Sequence, residues 1–221
     1  NGFATGGRPA SETESGEDAT ATMNLTNGSN LVVNNHNGMG LGYEAIGVMN
    51  VDATSTFEAT ENFLVTAKGT MNVAGKAIVA EGKTLTNNGA IVLTAAEATL
   101  TANECNNVTT NVNGYVVVYA DGKYTIALPV AKVGTNQYTT IHEAIAAWTN
   151  NTTLTLLDNV TLSDVVTLNS TEHHILNLGT YTMTAASGKN AIVIKACGTG
   201  SAERTAITIN ADAENPGGIN A

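Results

Sequence analysis

The chain has 221 residues and a formal net charge of −10 at pH 7, with 13% charged and 5% aromatic residues. Hydrophobic residues make up 43%, which is enough for a core and excludes wholesale disorder. The acidic balance argues against nucleic acid and anionic membranes as partners. No apolar run approaches the roughly 18 residues of a membrane-spanning helix, so no membrane insertion is expected. The 34 Thr, 27 Asn and 22 Gly favour a β-rich protein with many corners.

Residues 1–21 are polar and include an acidic run from Glu12 to Asp18. We expect a flexible N-terminal segment there. The run lacks the alternating acidic spacing of a calcium-binding loop, so no metal site is predicted in it. The chain begins Asn1-Gly2-Phe3 without an initiator Met, which predicts a processed protein or an excised fragment.

Short apolar runs separated by Asn and Gly begin at residue 22. Leu31–Val33 and Ile91–Leu93 are typical runs, and Asn27-Gly28 and Asn88-Gly89 are typical breaks. Such breaks favour positive φ and sharp corners. Short strands repeated between corners predict a β-solenoid. A β-sandwich remains the alternative for residues 22–105.

Two strand-forming runs, Tyr115–Ala120 and Lys123–Leu128, meet at Asp121-Gly122. An Asp-Gly pair between such runs is a strong hairpin signal. We therefore predict a β-hairpin near residues 115–128, which ends a first β-rich unit of residues 22–128.

One helix is predicted, near residues 140–149. Thr140 and Glu143 have the spacing of a capping box. Apolar residues recur at helical spacing and form one stripe: Ile141, Ala144, Ile145 and Trp148. Because so short a helix is marginal alone, we expect its stripe to cover the end of a solenoid core. The helix and the start of a truncated parallel β-helix make up a second unit, residues 129–221.

Residues 133–209 resemble the opening of bacterial secreted and cell-surface proteins with the pectate-lyase-like β-helix. The matching stretches are Tyr138–Ala147, Thr153–Leu162, Leu176–Thr184, Ala191–Ile194 and Ala206–Ile209. The resemblance implies an all-β, right-handed parallel β-helix (β-solenoid) and an extracellular or cell-surface location. It leaves the activity open, because this architecture hosts lyases, hydrolases, adhesins and stalks.

The ionisable residues give little sign of catalysis. Asp158 and Asp164 are close enough in sequence to face one cleft, as the paired carboxylates of a glycosidase do. Asp158-Asn159 and Ser163-Asp164 are, however, typical corner sequences, which favours a turn role for both. We predict no catalytic residue and no cofactor. Cys105 and Cys197 lie far apart in sequence and are interpreted as free, partly buried thiols, with a disulfide as the alternative.

Five residues are candidates for ligand contact: Tyr43, Tyr181, Glu172, His173 and His174. The two tyrosines are candidates for glycan contact as exposed aromatic residues. Successive strand residues point to opposite faces, which opposes joint metal ligation by His173 and His174. We interpret Glu172-His173-His174 as a solvated loop on the side of the solenoid, with no metal.

The sequence thus favours a non-catalytic extracellular β-helix module of a bacterial surface or secreted protein. Its function is predicted to be adhesin-like display, with contact to glycans or host surface proteins. The alternative is a fragment of a polysaccharide lyase or glycoside hydrolase whose catalytic residues lie outside or late in the chain. A third reading is a spacer or a module that self-associates through open solenoid ends.

Overall fold

The computed structural model describes residues 4–5, 20–34, 39–42, 45–169, 172–195 and 207–220. It is 52% strand and 4% helix and forms a β-solenoid of about seven turns with parallel sheets. The predicted all-β parallel β-helix is therefore confirmed. The chain forms two compact units, unit 1 (Asn1–Ala127) and unit 2 (Leu128–Ala221). The acidic run at 12–18 lies outside the described residues.

Among the described residues, no helix has both the length and the apolar character needed to span a bilayer.

The fifteen strands described in unit 1 are β1 (Ala4–Thr5), β2 (Thr20–Leu25), β3 (Asn30–Val33), β4 (Met39–Leu41), β5 (Ile46–Val51), β6 (Thr56–Ala59), β7 (Phe63–Val65), β8 (Gly69–Val73), β9 (Lys76–Val79), β10 (Leu85–Asn87), β11 (Ala90–Leu93), β12 (Thr99–Thr101), β13 (Val108–Thr110), β14 (Val116–Ala120) and β15 (Lys123–Ala127).

Unit 1 has three sheets, which the chain visits in turn. Their strand orders are β1-β4-β7-β10, β13-β11-β8-β5-β2 and β14-β15-β12-β9-β6-β3. Strands of successive coils pair in parallel, for example β5 with β8 and β6 with β9. Each coil therefore lies on the preceding one, and the β-sandwich alternative for residues 22–105 is wrong.

The register places like residues above one another. Met23 pairs with Met49, Met49 with Met71, Met71 with Ile91, and Ile91 with Val108. Successive coils thus take 26, 22, 20 and 17 residues along this column. Strand residues that alternate with the outward-facing ones form a continuous apolar core, in which Met49, Met71 and Ile91 are buried. The varying coil length is absorbed at the corners, because the strand positions stay in register.

The predicted hairpin closes the last coil of unit 1. Strands β14 and β15 pair antiparallel, and β15 pairs antiparallel with β12. Asp121 and Gly122 between them have φ of 51° and 73°, the conformation that Asp-Gly tolerates well. Tyr119 packs on Tyr124 with ring centroids 4.5 Å apart. The prediction of a hairpin near 115–128 is confirmed.

Unit 2 repeats the parallel coil with fewer strands. They are β16 (Ala131–Val133), β17 (Asn136–Tyr138), β18 (Thr153–Leu156), β19 (Val160–Thr161), β20 (Val166–Asn169), β21 (His174–Gly179), β22 (Thr182–Thr184), β23 (Ile192–Lys195), β24 (Ile207–Ala211) and β25 (Gly218–Asn220). The sheet orders are β17-β16-β18-β21-β24, β19-β22-β25 and β20-β23. Strand β16 pairs antiparallel with β17 and β18, and the coils that follow pair in parallel.

Helix α1 spans Ile141–Ala147, shorter than predicted because Trp148 leaves the helical conformation as its C-cap. The Thr140 hydroxyl accepts from the Glu143 backbone N–H, as the capping box predicts. The Glu143 carboxylate accepts from the Thr140 hydroxyl at 2.8 Å. Ala144 and Trp148 are buried in the core of unit 2. The apolar stripe therefore covers that core, as expected.

The last coil of unit 2 leaves core positions open. Leu154 pairs with Leu176, and Leu176 pairs with Ile209. Leu154 and Leu176 are fully buried, whereas Ile209 is 47% exposed. Ile219 on the same coil and Ile194 on β23 of the preceding coil are also exposed and border the same recess. Together with Ile209 they form an apolar end surface, here called the end surface.

Coil contact at the corner before β25 depends on a glycine. A Cβ at Gly217 would lie 2.1 Å from the Tyr181 carbonyl oxygen, whereas a Cβ at Gly218 would meet nothing within 4 Å. The Gly217 N–H also donates to the Gly179 carbonyl at 2.9 Å. Backbone of one coil thus passes directly against backbone of the next.

We predict that Gly217→Ala destabilises the fold by about 1–3 kcal/mol, because the added methyl group forces two backbone segments apart. Gly218→Ala is the matched control and should change the free energy of unfolding by less than about 0.5 kcal/mol. Urea unfolding followed by the fluorescence of Trp148, the chain's one Trp, measures both. Equal effects of the two substitutions would contradict the close approach at Gly217.

Candidate functional site

The outer surface of the sheet β13-β11-β8-β5-β2 carries no ionisable side chain at any strand position. Burial alternates along these strands, so the outward residues follow from the pattern. We call this set the uncharged face; its members are Thr20, Thr22, Asn24, Ile46, Val48, Asn50, Thr70, Asn72, Ala90, Val92 and Thr109. Hydroxyl, amide and aliphatic groups alone make up this surface.

Three asparagines of the uncharged face form a ladder. The Asn50 Nδ2 donates to the Asn24 Oδ1 at 2.7 Å, and the Asn72 Nδ2 donates to the Asn50 Oδ1 at 2.8 Å. Parallel in-register pairing causes this, because it places identical side chains one strand spacing apart. The ladder stops at Val92, which pairs with Asn72. Bonded in this way, the amides present their remaining donors and acceptors in fixed positions.

The sheet containing β3, β6, β9, β12 and β15 differs. Its outward positions include Glu58, Lys76 and Lys123. The strands β7 and β10 of the third sheet are only three residues long and place Leu64 and Thr86 outward. The uncharged face is therefore the broadest surface of unit 1 without charge at its described strand positions.

Sequence reasoning missed this surface, although the sequence contains a signal for it. Met-Asn followed by Leu or Val occurs at Met23–Leu25, Met49–Val51 and Met71–Val73. An inward Met next to an outward Asn, repeated at coil spacing, is what a ladder requires. Recognising the repeat would have placed the three asparagines on one face.

The predicted cluster Glu172-His173-His174 separates into two environments. The His173 Nε2 lies 3.1 Å from the Thr208 Oγ1 on the neighbouring coil, and the His173 N–H donates to the Asn150 Oδ1 at 2.8 Å. His174 starts β21 and is 2% exposed. The two rings therefore do not converge on one site, in keeping with the opposite directions expected for successive residues.

The expectation of a solvated loop is wrong for His174. Its Nε2 lies 2.9 Å from the Glu172 Oε2, and its ring meets the edge of Trp148 at a centroid distance of 4.9 Å. The Trp148 Nε1 donates to the Thr152 carbonyl at 3.1 Å. The side chain is inward because position 174 is in register with Ile207 on the core side of the sheet. Packing under helix α1 thus overrides the preference of His for the surface.

Tyr181 lies at a corner of unit 2 and is half-buried against its core. Its backbone N–H donates to Leu178, and its carbonyl accepts from Gly218. Because the side chain packs against the core, part of the ring is not available for contact with a ligand. Tyr43 lies outside the described residues, so its expected role in glycan contact stays a prediction.

The two candidate carboxylates serve corners, as the sequence suggested. Asp158 accepts from the Asn159 N–H at 2.7 Å, and Asp164 accepts from the Val165 N–H at 2.7 Å. Lys189 donates to Asp164 at 2.9 Å and, with that backbone bond, lowers the pKa of the Asp164 carboxyl. A glycosidase acid needs the opposite shift, toward a raised pKa.

Metal and thiol chemistry find little support in the described ranges. No group of three or more His, Cys, Asp or Glu residues there is placed to hold a metal ion. Cys105 is a free, half-buried thiol, and its burial raises its pKa. The Tyr124 hydroxyl donates to the Cys105 carbonyl at 2.9 Å, which ties this loop to the hairpin. Cys197 lies outside the described residues.

Among the recesses formed by the described residues, two have mixed polar and apolar linings that include ionisable side chains. In unit 1 an open groove of about 490 Å³ is lined by Lys83, Asn103 and Tyr119, among others. The Tyr119 hydroxyl already donates to the Ala102 carbonyl. In unit 2 a more enclosed cavity of about 260 Å³ lies beside helix α1 and is lined by Trp148 and His174, among others.

Comparison of the chain with protein-family models, curated proteins and solved structures finds no match. The resemblance of residues 133–209 to pectate-lyase-like β-helix proteins therefore stays a prediction from the sequence.

The corner that follows β5 contains a carboxyl group, that of Asp52, with a strongly lowered pKa. The pKa of Asp52 falls from 3.8 to about 2, first through a hydrogen bond from Ser55 and then through bonds from Asn27 and Thr54. The Asn27 N–H donates to Asp52 at 2.8 Å and thereby links successive coils. Because the folded pKa is depressed, this carboxylate stabilises the corner above about pH 4, and its contribution is lost as the pH falls toward 2.

We predict that Ser55→Ala raises the pKa of Asp52 toward 3.8, because the largest stabilising hydrogen bond is removed. An NMR titration of the Asp52 carboxyl carbon measures the midpoint, with the exposed Ser163→Ala as control. Wild type and control should titrate near 2. A wild-type midpoint near 3.8 would show that the corner does not hold this carboxylate as described.

Proposed function

We propose that this protein is a non-catalytic binding module of a secreted or cell-surface β-helix protein, adhesin-like in its mode of display. Its contact surface is the uncharged face of unit 1, and its partners are neutral glycans or polar host-protein surfaces. The absence of charge at the eleven positions of that face, in a chain of net charge −10, carries the proposal.

Neutral glycans suit such a surface for reasons of solvation. Binding removes water from both partners, and a charged side chain without a counterion in the contact would lose its hydration without compensation. The uncharged face avoids this cost. Its amides and hydroxyls match sugar hydroxyls, and Ile46, Val48 and Val92 offer apolar contact to the C–H faces of sugar rings.

Rigidity also supports the proposal. The bonds between Asn24, Asn50 and Asn72 hold their amide groups before any ligand arrives. Thr and Val at the other positions are β-branched and have few rotamers. Binding therefore orders few additional side chains, which lowers its entropic cost.

The alternative is a fragment of a polysaccharide lyase or glycoside hydrolase. A hydrolase of this kind needs two carboxylates facing one cleft. Asp158 and Asp164 each bond the backbone of the following residue, and Asp164 also pairs with Lys189. These hydrogen bonds and the ion pair favour a structural role for both carboxylates. The lyase assay described below tests the enzymatic alternative.

We predict that the full chain binds at least one neutral oligosaccharide on a glycan array. Thr70→Lys should weaken this binding at least about tenfold, because it places a charge in the centre of the uncharged face. Thr86→Lys puts the same charge outward on β10 and should leave binding unchanged. Equal effects of the two substitutions, or binding of acidic glycans alone, would refute the proposed surface.

A parallel assay for unsaturated uronate product tests for lyase activity. Product formed by the wild type would overturn the non-catalytic assignment.

A second candidate function is self-association of two copies through the end surface of unit 2. Ile194, Ile209 and Ile219 are 44%, 47% and 37% exposed. Strands β24, β25 and β23 are the terminal strands of their described sheets. Apolar side chains beside open strand edges favour pairing with another strand.

We predict a concentration-dependent dimer in sedimentation equilibrium, which Ile209→Asn converts to monomer by making the end surface polar. Val32→Asn changes another half-exposed aliphatic residue on the terminal strand β3 and should leave the dimer intact. A wild-type chain that stays monomeric up to about millimolar concentration, a typical weak-binding limit, would exclude this function.

A further inference from the structure

The cavity beside helix α1 has the lining of a small ligand site. It measures about 260 Å³ and is bounded by α1, by the corner before β20, by β20 and by the start of β21. Its apolar wall comes from Ile141, Ile145, Trp148 and Leu162, and its polar wall includes Ser163, Thr167, Glu172 and His174. Typical ligand pockets measure about 300–1,000 Å³, so an occupant is limited to roughly one sugar ring.

A buried polar atom on this wall lacks a partner. The His174 Nδ1 is buried and makes no hydrogen bond within the described residues, while Nε2 lies 2.9 Å from the Glu172 carboxylate. In the tautomer whose Nε2–H donates to the Glu172 carboxylate, Nδ1 carries a lone pair and is an acceptor. Buried acceptors without a donor are uncommon and costly. The ring therefore favours a ligand that donates a hydrogen bond.

The remaining lining selects a neutral ligand with two faces. No Lys or Arg is among the described residues that line the cavity, so an anionic ligand finds no permanently charged counterion there. Asp164, also on the wall, is already paired with Lys189. Ser163 and Thr167 line the same space as the aliphatic and aromatic wall. A sugar ring combines hydroxyl edges with an apolar C–H face and matches both walls.

We infer that the cavity beside helix α1 binds a single neutral sugar ring, one hydroxyl of which donates to the His174 Nδ1 after the imidazole turns toward the cavity. Without the sugar, the Glu172 carboxylate holds Nε2 at 2.9 Å, and turning the ring exchanges this contact for the contact of Nδ1 with the sugar hydroxyl. This site goes beyond the proposed function, because it uses residues of unit 2 that the uncharged face does not contain.

The test is an NMR titration of the full chain with D-glucose, D-galactose, D-mannose and N-acetyl-D-glucosamine, each alone. We expect at least one sugar to shift the His174 Nδ1 resonance and the Trp148 indole N–H resonance with one common dissociation constant. His174→Phe keeps the ring volume but removes the acceptor and should weaken that sugar at least about tenfold. His173→Ala removes the neighbouring ring, which bonds Thr208, and should leave the dissociation constant unchanged.

Ile145→Trp fills the cavity without touching His174 chemistry and should abolish the shifts, which keeps the inference testable if His174→Phe fails to fold. The inference is overturned if none of the four sugars shifts these resonances or if His174→Phe binds as well as wild type. It is also overturned if ethanolamine, a cationic probe, shifts them while the sugars do not. Thr70→Lys should leave this titration unchanged, so failure here and failure of the uncharged face are separate results.

Discussion

In-register stacking of inward side chains is the constraint on which the rest of the structure depends. A strand of three to six residues is unstable alone, and a single coil has no core of its own. Met49 is buried only because Met23 and Met71 lie on the adjoining coils. Burial of each coil by its neighbours therefore replaces the single central core of a globular domain.

Stacking also limits how many positions are free to carry functional side chains, and it determines where those positions lie. Inward positions must be apolar, and corners need residues such as Asp52 and Gly217 that bond or clear the neighbouring backbone. Outward strand positions are the ones left to vary. In the uncharged face Asn24, Asn50 and Asn72 align into a column of amides, and the threonines are in register with aliphatic residues. A fold requirement therefore produces an ordered, uncharged surface. The low charge seen in the composition is thus found at the outward strand positions of this sheet.

Local patterns predicted the local elements well. The Asp121-Gly122 hairpin and the Thr140–Glu143 capping box follow from backbone preferences of a few adjacent residues, and the structure confirms both elements. The parallel β-helix was likewise visible in the alternation of short apolar runs with Asn and Gly. These signals needed no knowledge of distant contacts.

The features that were not predicted from the sequence depend on the register between coils. Coil lengths of 26, 22, 20 and 17 residues hide the repeat from a fixed-period search, so the ladder from Asn24 to Asn72 was missed. His174 looked like a loop residue because its burial requires Trp148, which lies on a separate element. Both errors have one cause, since the neighbours that decide a side chain's environment lie about one coil away in sequence.

Through-space NMR contacts between backbone protons of Met49 and Met71, and of Met71 and Ile91, test the stacked register most directly. The account predicts contacts of the parallel type between these pairs and their in-register neighbours, such as Asn50 with Asn72. An antiparallel pattern along these strands, or no contact between residues one coil apart, would contradict the solenoid and with it the uncharged face.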